Sequence, residues 1–420
     1  MDYNRLFFTL LFYLGMKILH ITTSTQGGAG IAAKRHCEAM RKSGINASLV
    51  ALFGNGDFTI TTKYQKTALK KKSRDKILHK LSRLVVKRVA WHWINADYDI
   101  TYLSEVQNAD IIYIHWVNDF LGYKAIKKLL SLGKPVIWYM HDMWPITGGC
   151  HYSFDCKGYE SLCRHCPQMK FAHFLASGQL QKKIKEWRHY SNFYLAAPSQ
   201  WLCDCIRNSS LFKGHKVFCC PNVIDTSIFC PSDKLTARKK LGLPADKRLI
   251  LFSAMGIRNP YKGAEYLLEA ISHLNNDNYE FMVIGKADKQ DFPPQLANKL
   301  HIIGFVSETA KLVNLYNAAD VLIITSIAEN FPNVVIEAMS CGIPAVGFST
   351  GGIKDQIHHK ENGYLVTPRD VNGIIKGIDW VLEKADYKEL SLKARQYVEN
   401  YCSYNAVLKN HQQILNLQQL

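Results

Sequence analysis

The sequence has no uninterrupted apolar run of about 20 residues, the length that a transmembrane helix needs, and it is short of acidic residues. The missing run argues against a membrane-spanning helix. The 35 acidic residues stand against 52 Lys and Arg, which leaves a formal net charge of +17. A surplus of this size favours an anionic partner, such as nucleic acid, a membrane surface or a phosphorylated substrate.

The cysteines lack the regular spacing of a disulfide framework. Twelve are present, and outside one cluster they are scattered or directly adjacent, as at Cys219 and Cys220. We therefore predict a reduced, cytoplasmic protein.

The N-terminus lacks the features of a signal peptide. The apolar stretch from Leu6 to Gly15 is not followed by a small-residue cleavage site, and the residues before it hold one Asp against one Arg. We interpret residues 1–15 as an upstream extension before a working start at Met16. A short membrane-dipping anchor is the alternative.

A regular alternation of apolar strand patterns and helical patterns fills the rest of the chain. Its 420 residues exceed what one ordinary core accommodates. Continuous apolar strands separated by helices indicate a parallel sheet covered on both faces. The pattern occurs twice, which predicts an α/β chain of two Rossmann-like, doubly wound domains facing each other across a cleft. We place them at 16–228 and 229–399, with a final helix, about 400–420, that could pack back on the first domain.

One strongly basic segment interrupts the alternation. Between Lys63 and Arg88, eleven Lys and Arg stand against a single Asp, and apolar residues at helical spacing are followed by two tryptophans. A basic amphipathic helix with interfacial tryptophans is typical of contact with an anionic membrane surface, and a solvated face on a packed helix is the alternative. The predicted contact residues are Lys70, Lys71, Lys72, Arg74, Lys80, Arg83, Lys87, Arg88, Trp91 and Trp93.

Two glutamates stand eight residues apart in the stretch SIAENFPNVVIEAMSCG. Pro332 suits the first turn of a helix and Gly342 suits its end, so Glu329 falls in the preceding loop and Glu337 falls within the helix. The N–H groups at that helix start favour an anionic ligand such as a phosphate. The carboxylates can accept hydrogen bonds from sugar hydroxyls.

With these glutamates, several short motifs resemble the retaining family-4 glycosyltransferases of the GT-B fold, of the type that builds bacterial exopolysaccharide, capsule or O-antigen. The resemblance covers nearly the whole chain from Met16, through GGAG, HD, PNVID, an early R…KG in the second half and ENGYLVTPRD. It implies that Glu329 contacts the donor sugar, helped by the backbone N–H groups of Asn330 and Phe331. It also implies that Glu337 holds the ribose of the nucleotide.

The resemblance assigns two further groups of residues to the donor. Arg258 and Lys262 would stabilise the charge of the departing diphosphate without a metal, although their spacing of four is one shorter than the family's usual spacing. The loop glycines that follow the first strand would lie near the diphosphate and acceptor, because glycine lets a backbone approach a ligand closely. They are Gly27, Gly28 and Gly30.

His141 and Asp142 end an apolar strand, and the carboxyl ends of such strands line the ligand site of doubly wound sheets. The resemblance implies that His141 lies beside the reacting sugar. Asp142 could orient the imidazole or cap a turn.

Four cysteines cluster shortly after this strand, at Cys150, Cys156, Cys163 and Cys166. The last two have the C-x2-C spacing of zinc ligands, but the other gaps do not match a standard finger. Four thiolates would form a closed structural zinc site without an open position for catalysis. Reduced thiols are the alternative.

The sequence thus predicts a retaining, metal-independent glycosyltransferase of hexosyltransferase type that needs no cofactor for catalysis. It would move a sugar from a nucleotide-sugar donor to a glycan acceptor, lipid-linked in our interpretation, at the inner face of a bacterial membrane. A nucleotide-sugar epimerase on the same fold and a basic nucleic-acid-binding protein are the alternatives. No nucleic-acid-binding motif supports the second, and we expect no nucleic acid among the partners.

Overall fold

The computed structural model describes residues 15–55, 57–59, 84–87, 90–254, 259–274 and 276–415. The chain divides into two units. The first runs up to Val223 and is completed by residues from Leu408 onward, and the second is Ile224–Val407. The predicted boundary between residues 228 and 229 lies close to this division.

The first unit contains a seven-stranded sheet in which all paired strands are parallel. Its strands are β1 (Lys17–Ser24), β2 (Asn46–Phe53), β3 (Phe58–Thr59), β4 (Ile111–Ile114), β5 (Val136–Tyr139), β6 (Phe193–Ala197) and β7 (Val217–Cys219). They lie in the order β3-β2-β1-β4-β5-β6-β7. The helices are α1 (Gly27–Lys42), α2 (Ser104–Asn108), α3 (Tyr123–Leu130), α4 (Phe174–Trp187) and α5 (Gln200–Asn208).

Both faces of this sheet are buried. Along β1, Leu19 and Ile21 belong to one hydrophobic cluster and Ile18 belongs to another. Alternate residues of a strand point to opposite faces, so apolar residues are needed at successive positions. This requirement explains the continuous apolar runs in the sequence.

The second unit contains a six-stranded parallel sheet in the order β10-β9-β8-β11-β12-β13. The strands are β8 (Arg248–Ala254), β9 (Tyr279–Gly285), β10 (Leu300–Gly304), β11 (Val321–Ile324), β12 (Ala345–Phe348) and β13 (Gly363–Val366). The helices are α6 (Lys234–Leu241), α7 (Ala264–His273), α8 (Thr309–Ala318), α9 (Asn333–Ser340), α10 (Ile353–Gln356), α11 (Val371–Asp379) and α12 (Tyr387–Tyr401). The predicted α/β class with two doubly wound parallel sheets is confirmed.

A last helix, α13 (Tyr404–Leu415), returns the chain to the first unit. Ile414 packs in the cluster that contains Met16 and Ile18. The His411 ring lies 3.0 Å from the Tyr113 hydroxyl, measured from Nδ1 to the oxygen. The C-terminal helix therefore completes the core beneath β1 and β4.

The basic segment lies largely outside the described residues, as do residues 1–14. This applies to Lys70, Lys71, Lys72, Arg74, Lys80, Arg83 and Arg88. Lys87 is exposed, whereas Trp91 and Trp93 are half-buried against the core of the first unit. Within the described ranges no helix is both long enough and apolar enough to cross a bilayer.

A buried carboxylate connects three elements of the second unit. Asp320 precedes β11 and is 1% exposed. Its oxygens accept hydrogen bonds from Arg238 of α6 at 2.7 Å and from the Leu249 N–H of β8 at 2.7 Å. Lys234 adds a third contact at 2.6 Å. A buried charge is tolerated only when it is paired and hydrogen-bonded in this way.

We predict that Asp320→Ala destabilises the second unit by about 3–5 kcal/mol, because it leaves Arg238 buried without its anion. Hydrogen exchange of the β8 and β11 peptides in the full chain measures this loss. Asp277→Ala is the matched control, because the Asp277 side chain is 99% exposed in its ion pair with Lys299. Equal protection of β8 in the two variants would contradict the role of Asp320.

Candidate functional site

In the second unit, a lysine–glutamate pair lies at the carboxyl end of β11. Glu329 is in the loop after this strand, and its Oε2 lies 2.5 Å from Lys262 Nζ. Both side chains are partly exposed, at 26% for the lysine and 13% for the glutamate. The structure thus brings together two residues that lie 67 positions apart and that were predicted to contact the donor.

Backbone contacts between two loops hold this pair. The Ile327 N–H donates to the Tyr261 carbonyl at 2.9 Å, and the Thr325 hydroxyl donates to the Lys262 carbonyl at 3.0 Å. Gly263 has φ +58, and a Cβ there would overlap the Thr325 carbonyl oxygen. Only glycine fits this approach, which explains the KG sequence. Arg258, the second predicted cation, lies outside the described residues.

Glu337 lies in α9, which begins at Asn333 and ends at Ser340. Its side chain is 4% exposed, and its Oε2 accepts a hydrogen bond from the Tyr316 hydroxyl of α8 at 2.6 Å. Tyr316 was not among the residues predicted from the sequence. A tyrosine at a buried helix position has the same sequence pattern as an ordinary core residue, and only the fold brings it to the glutamate.

The start of α9 supplies the backbone groups that were expected to meet the donor. Pro332 occupies the N-cap position rather than the first turn, and no acidic residue lies in that turn. Asn330 and Phe331 precede it and are buried. Helix starts of this kind leave N–H groups without intrahelical partners and favour anions.

The glycines near the N-terminus occupy a helix rather than the predicted loop. Helix α1 begins at Gly27, so Gly27, Gly28 and Gly30 form its first turn. A Cβ at Gly30 would overlap the Ser24 carbonyl oxygen at the end of β1. Gly30 therefore allows the helix to begin directly against the strand. A helix start remains suited to an anionic group.

His141 follows β5 and belongs to a chain of hydrogen-bonded imidazoles. Its Nε2 lies 3.0 Å from His115 Nδ1, and His115 Nε2 lies 2.8 Å from His20 Nδ1. The chain ends where His20 Nε2 lies 3.3 Å from the Met40 sulfur. His20 and His115 are buried, and His141 is half-buried.

Burial keeps these imidazoles neutral. It lowers the pKa of His20 to about 3 and the pKa of His115 well below its ordinary value. It lowers the pKa of His141 to about 4, although the neighbouring Asp142 carboxylate acts in the opposite direction. At neutral pH each ring therefore carries one N–H and one lone pair.

The sulfur at the end of the chain favours one set of tautomers. A thioether is a weak acceptor and has no proton to donate, so a hydrogen bond to Met40 requires the proton of His20 on Nε2. His115 then donates through Nε2 to His20, and His141 donates through Nε2 to His115. The lone pair of His141 remains on Nδ1. Any partner at that atom must donate, as a sugar hydroxyl does.

Asp142 does not orient His141. Its Oδ1 caps the following turn by accepting from the Trp144 N–H at 2.8 Å, and its Oδ2 lies 2.6 Å from His151 Nδ1. Burial acts to raise the pKa of Asp142, but the charge and hydrogen bond of His151 outweigh it, so the net pKa lies below the ordinary value. Of the two roles considered for Asp142, capping a turn is the one observed, and His115 is the residue that orients His141.

The four clustered cysteines line one small cavity in the first unit. All are free, and three of them are buried, with Cys156 half-buried. In the part of the chain that the structure describes, no group of three or more His, Cys, Asp or Glu side chains is arranged around one point as metal ligands. The cysteines thus share a site without forming a closed ligand set. Trp91 forms part of its wall.

Comparison with known proteins identifies related sequences over both units. The family described as "Glycosyltransferase Family 4" matches residues 26–228, and "Glycosyl transferases group 1" matches residues 233–401. An uncharacterized glycosyltransferase of Methanocaldococcus jannaschii is 34% identical over 37% of this chain and 41% of its own length. One of Haemophilus influenzae is 30% identical over 54% and 68%. The putative colanic acid biosynthesis glycosyl transferase WcaC of Escherichia coli is 24% identical over 63% and 65%.

Two solved structures share the fold over 96% of this chain. Sucrose-phosphate synthase from Thermosynechococcus elongatus has a TM-score of 0.64 and 17% identity over 99% of its chain. Anabaena Alr3699/HepE in complex with UDP has a TM-score of 0.62 and 19% identity over its full chain. At this identity the likeness concerns the fold alone.

We predict that acid destabilises the first unit through its buried histidines. Four of them are at most 1% exposed: His20, His36, His115 and His411. The ordinary imidazole pKa is about 6.5, and burial lowers it in the folded state. Between pH 6.5 and about 4 the unfolded chain therefore binds more protons, and the free energy of unfolding falls by about 1.4 kcal/mol per pH unit for each histidine.

Urea unfolding followed by tryptophan fluorescence tests this prediction, because seven of the eight tryptophans lie in the first unit. His36→Phe should reduce the dependence on pH by about 1 kcal/mol per pH unit. His273→Phe alters an exposed histidine and should leave it unchanged. If the free energy of unfolding depends on pH equally in the unaltered protein and in both variants, the prediction is contradicted.

We also predict that His20, His115 and His141 carry their protons on Nε2 at neutral pH. Nitrogen-15 chemical shifts of the imidazoles report the tautomer directly. Met40→Leu removes the acceptor at similar volume and should admit the Nδ1–H form of His20. Met282→Leu, a buried change in the second unit, should not. Protonation of His141 on Nδ1 in the unaltered protein would exclude the chain of donors described above.

Proposed function

Because the chain belongs to the glycosyltransferase family described by the group 1 and family 4 domains, we propose that it transfers a sugar from a nucleotide-sugar donor to a glycan acceptor. The observation that carries this proposal is the Lys262–Glu329 pair beside the start of α9, with Glu337 inside that helix. The three residues offer a cation for phosphate and two carboxylates for hydroxyl groups.

The donor would bind with its nucleotide at Glu337. A ribose presents two vicinal hydroxyls, and a carboxylate accepts from both. The Tyr316 hydroxyl holds Oε2 of Glu337, which fixes the orientation of the carboxylate. The structural neighbour Alr3699/HepE was solved with UDP and with UDP-glucose, which supports a nucleotide-sugar donor.

Lys262 would act on the leaving group. Departure of a nucleoside diphosphate develops negative charge on the phosphate oxygens, and a fixed ammonium stabilises that charge. The loop contacts around Gly263 hold Lys262 before the donor binds, so little reorganisation is needed during the reaction. No metal ion is required in this scheme.

Glu329 would position the sugar and would not attack it. Its carboxylate is paired with Lys262, which makes it a weak nucleophile but leaves it able to accept from sugar hydroxyls. We infer retention of configuration from the resemblance to the family. This arrangement is compatible with a mechanism that has no covalent glycosyl-enzyme intermediate.

His141, which belongs to the first unit, would contact the sugar. Its Nδ1 lone pair, fixed by the chain of imidazoles, accepts from a hydroxyl. Because its pKa is lowered, the ring is a weak base at neutral pH, so we assign His141 a positioning role.

The acceptor would be a lipid-linked glycan of surface polysaccharide synthesis. The similarity to WcaC, a putative colanic acid glycosyl transferase, supports this class. Lys63 to Arg88 would bring the enzyme to the inner face of the membrane by electrostatic attraction.

We predict that a panel of nucleotide sugars contains at least one donor that the protein binds and hydrolyses slowly without acceptor. Glu337→Ala should weaken nucleotide binding by about 10- to 100-fold, the effect of losing hydrogen bonds to a charged group. Lys262→Ala should lower kcat by about 100- to 1,000-fold, the effect of losing a donor that stabilises developing charge. Binding by calorimetry and turnover by nucleotide release measure the two effects separately.

Glu361→Ala is the control, because this glutamate is 70% exposed. It should leave binding and turnover unchanged. If no nucleotide sugar binds the unaltered protein more tightly than the Glu337→Ala variant, the assignment of the donor site is wrong. If the sugar product has inverted configuration, the retaining mechanism is wrong.

A further inference from the structure

The cavity among the clustered cysteines has the size of a single small ligand. Its volume is about 10 Å³, which is about the smallest space that holds one water molecule. Four thiols converge on it, whereas the remaining eight cysteines do not line it. Its wall is completed by Trp91, Thr147, Gly148, Ser153, Tyr159 and Gln168.

A backbone N–H group is directed at one of the sulfurs. The Gly158 N–H donates to the Cys156 sulfur at 3.3 Å. A neutral thiol is a weak acceptor, whereas a thiolate accepts strongly. This contact therefore suits a metal-bound sulfur.

Hydrogen bonds also hold the backbone of the cysteine segment. The Thr147 hydroxyl donates to the Cys150 carbonyl at 2.6 Å, and the Met169 N–H donates to the Cys166 carbonyl at 3.1 Å. These contacts fix the backbone that carries two of the sulfurs, and contacts around the ligands orient them in metal sites.

A buried lysine lies next to the same cavity. Lys183 of α4 is 0% exposed, and its Nζ donates to the carbonyls of Trp144 at 2.5 Å and Thr147 at 3.0 Å. Burial lowers its pKa to about 7, whereas negative charge on Cys150, Cys163 or Asp142 acts in the opposite direction. Asp142 is already paired with His151 at 2.6 Å, so thiolates at Cys150 and Cys163 would supply further negative charge to a buried ammonium.

The histidines of the segment do not belong to the site. Both ring nitrogens of His151 are occupied, by Asp142 at 2.6 Å and by His92 at 2.6 Å. His165 is exposed and does not line the cavity. Sulfur is the only ligand type that the cavity offers in number.

We propose that Cys150, Cys156, Cys163 and Cys166 bind one Zn²⁺ ion as four thiolates, with Lys183 as the buried counter-charge. Zinc favours four sulfur ligands in tetrahedral geometry. The sulfurs line the cavity but do not surround one point, so the cysteine side chains would rotate to coordinate the ion. Four thiolates and a divalent cation carry a net charge of two minus, which Lys183 partly neutralises. The site has no open position, so its role is to hold the segment that follows His141 and Asp142.

Zinc analysis of the purified full-length protein tests this proposal. We expect one zinc ion per chain after dialysis against a weak chelator, and release of that ion when a mercurial reagent modifies the thiols. Protein prepared with Co²⁺ should show the intense visible bands of a tetrahedral ion and a thiolate charge-transfer band. Zinc far below one per chain together with absent cobalt bands would overturn the proposal. Intact masses reduced by disulfide formation between these cysteines would also overturn it.

Variants identify the ligands. Cys166→Ser should lose the zinc and the cobalt charge-transfer intensity, whereas Cys230→Ser, a change at a half-buried cysteine in the second unit, should retain both. If Cys166→Ser does not fold, the zinc and cobalt measurements on the unaltered protein still decide the matter. Lys183→Met keeps the length of the side chain and should weaken zinc retention against a chelator. The result is independent of the proposed function, because nucleotide binding in the second unit is measured separately.

Discussion

The parallel pairing of the strands is the constraint on which the His141 site of the first unit and the Lys262–Glu329 site of the second unit depend. In a parallel sheet every strand ends at the same edge, so residues that follow different strands become neighbours. His115 and His141 follow β4 and β5, which pair directly, and their rings meet at 3.0 Å. In the second unit β11 lies between β8 and β12, and the loops after β8 and β11 exchange the hydrogen bonds that hold Lys262 against Glu329.

The two units handle buried polar groups in different ways. The second unit pairs opposite charges, at Arg238 and Asp320 in the core and at Lys262 and Glu329 near the surface. The first unit instead buries imidazoles that stay neutral and hydrogen-bond to one another. A neutral chain of rings costs less desolvation than ions would, and it fixes a tautomer without fixing a charge. Paired charges, as in the second unit, suit a phosphate ligand, whereas the neutral imidazoles of the first unit suit uncharged hydroxyls.

The fold and part of the site could be predicted from the sequence because they rest on local patterns. Apolar runs between helical patterns indicate parallel strands, and a proline and a glycine delimit the helix that carries Glu337. The start of α1 at Gly27 was missed, because glycine usually argues against a helix and the Ser24 carbonyl that excludes a side chain at Gly30 is visible only in three dimensions.

The partners of the site residues could not be predicted, because they come from distant parts of the chain. Tyr316 meets Glu337 from another helix, and His20 reaches His115 across 95 positions. The spacing of residues in the sequence predicts neighbours within one helix or strand, but it does not predict contacts between different elements. At the cysteine cavity, the clustering of the cysteines could be predicted from the sequence, but the burial of Lys183 beside them could not.

The cysteine segment affects the position of His141 through the backbone and does not contact the reacting groups. Asp142 directly follows His141 and holds its turn by accepting from the Trp144 N–H. The same carboxylate contacts His151, which is adjacent to Cys150 in the chain. If Cys150 moves, His151 moves with it, and Asp142 loses the contact that keeps its pKa low. Anything that fixes the four sulfurs therefore stabilises the turn that sets the position of His141. The proposed zinc site would therefore act on the proposed sugar contact of His141 through the backbone and would take no part in the reaction.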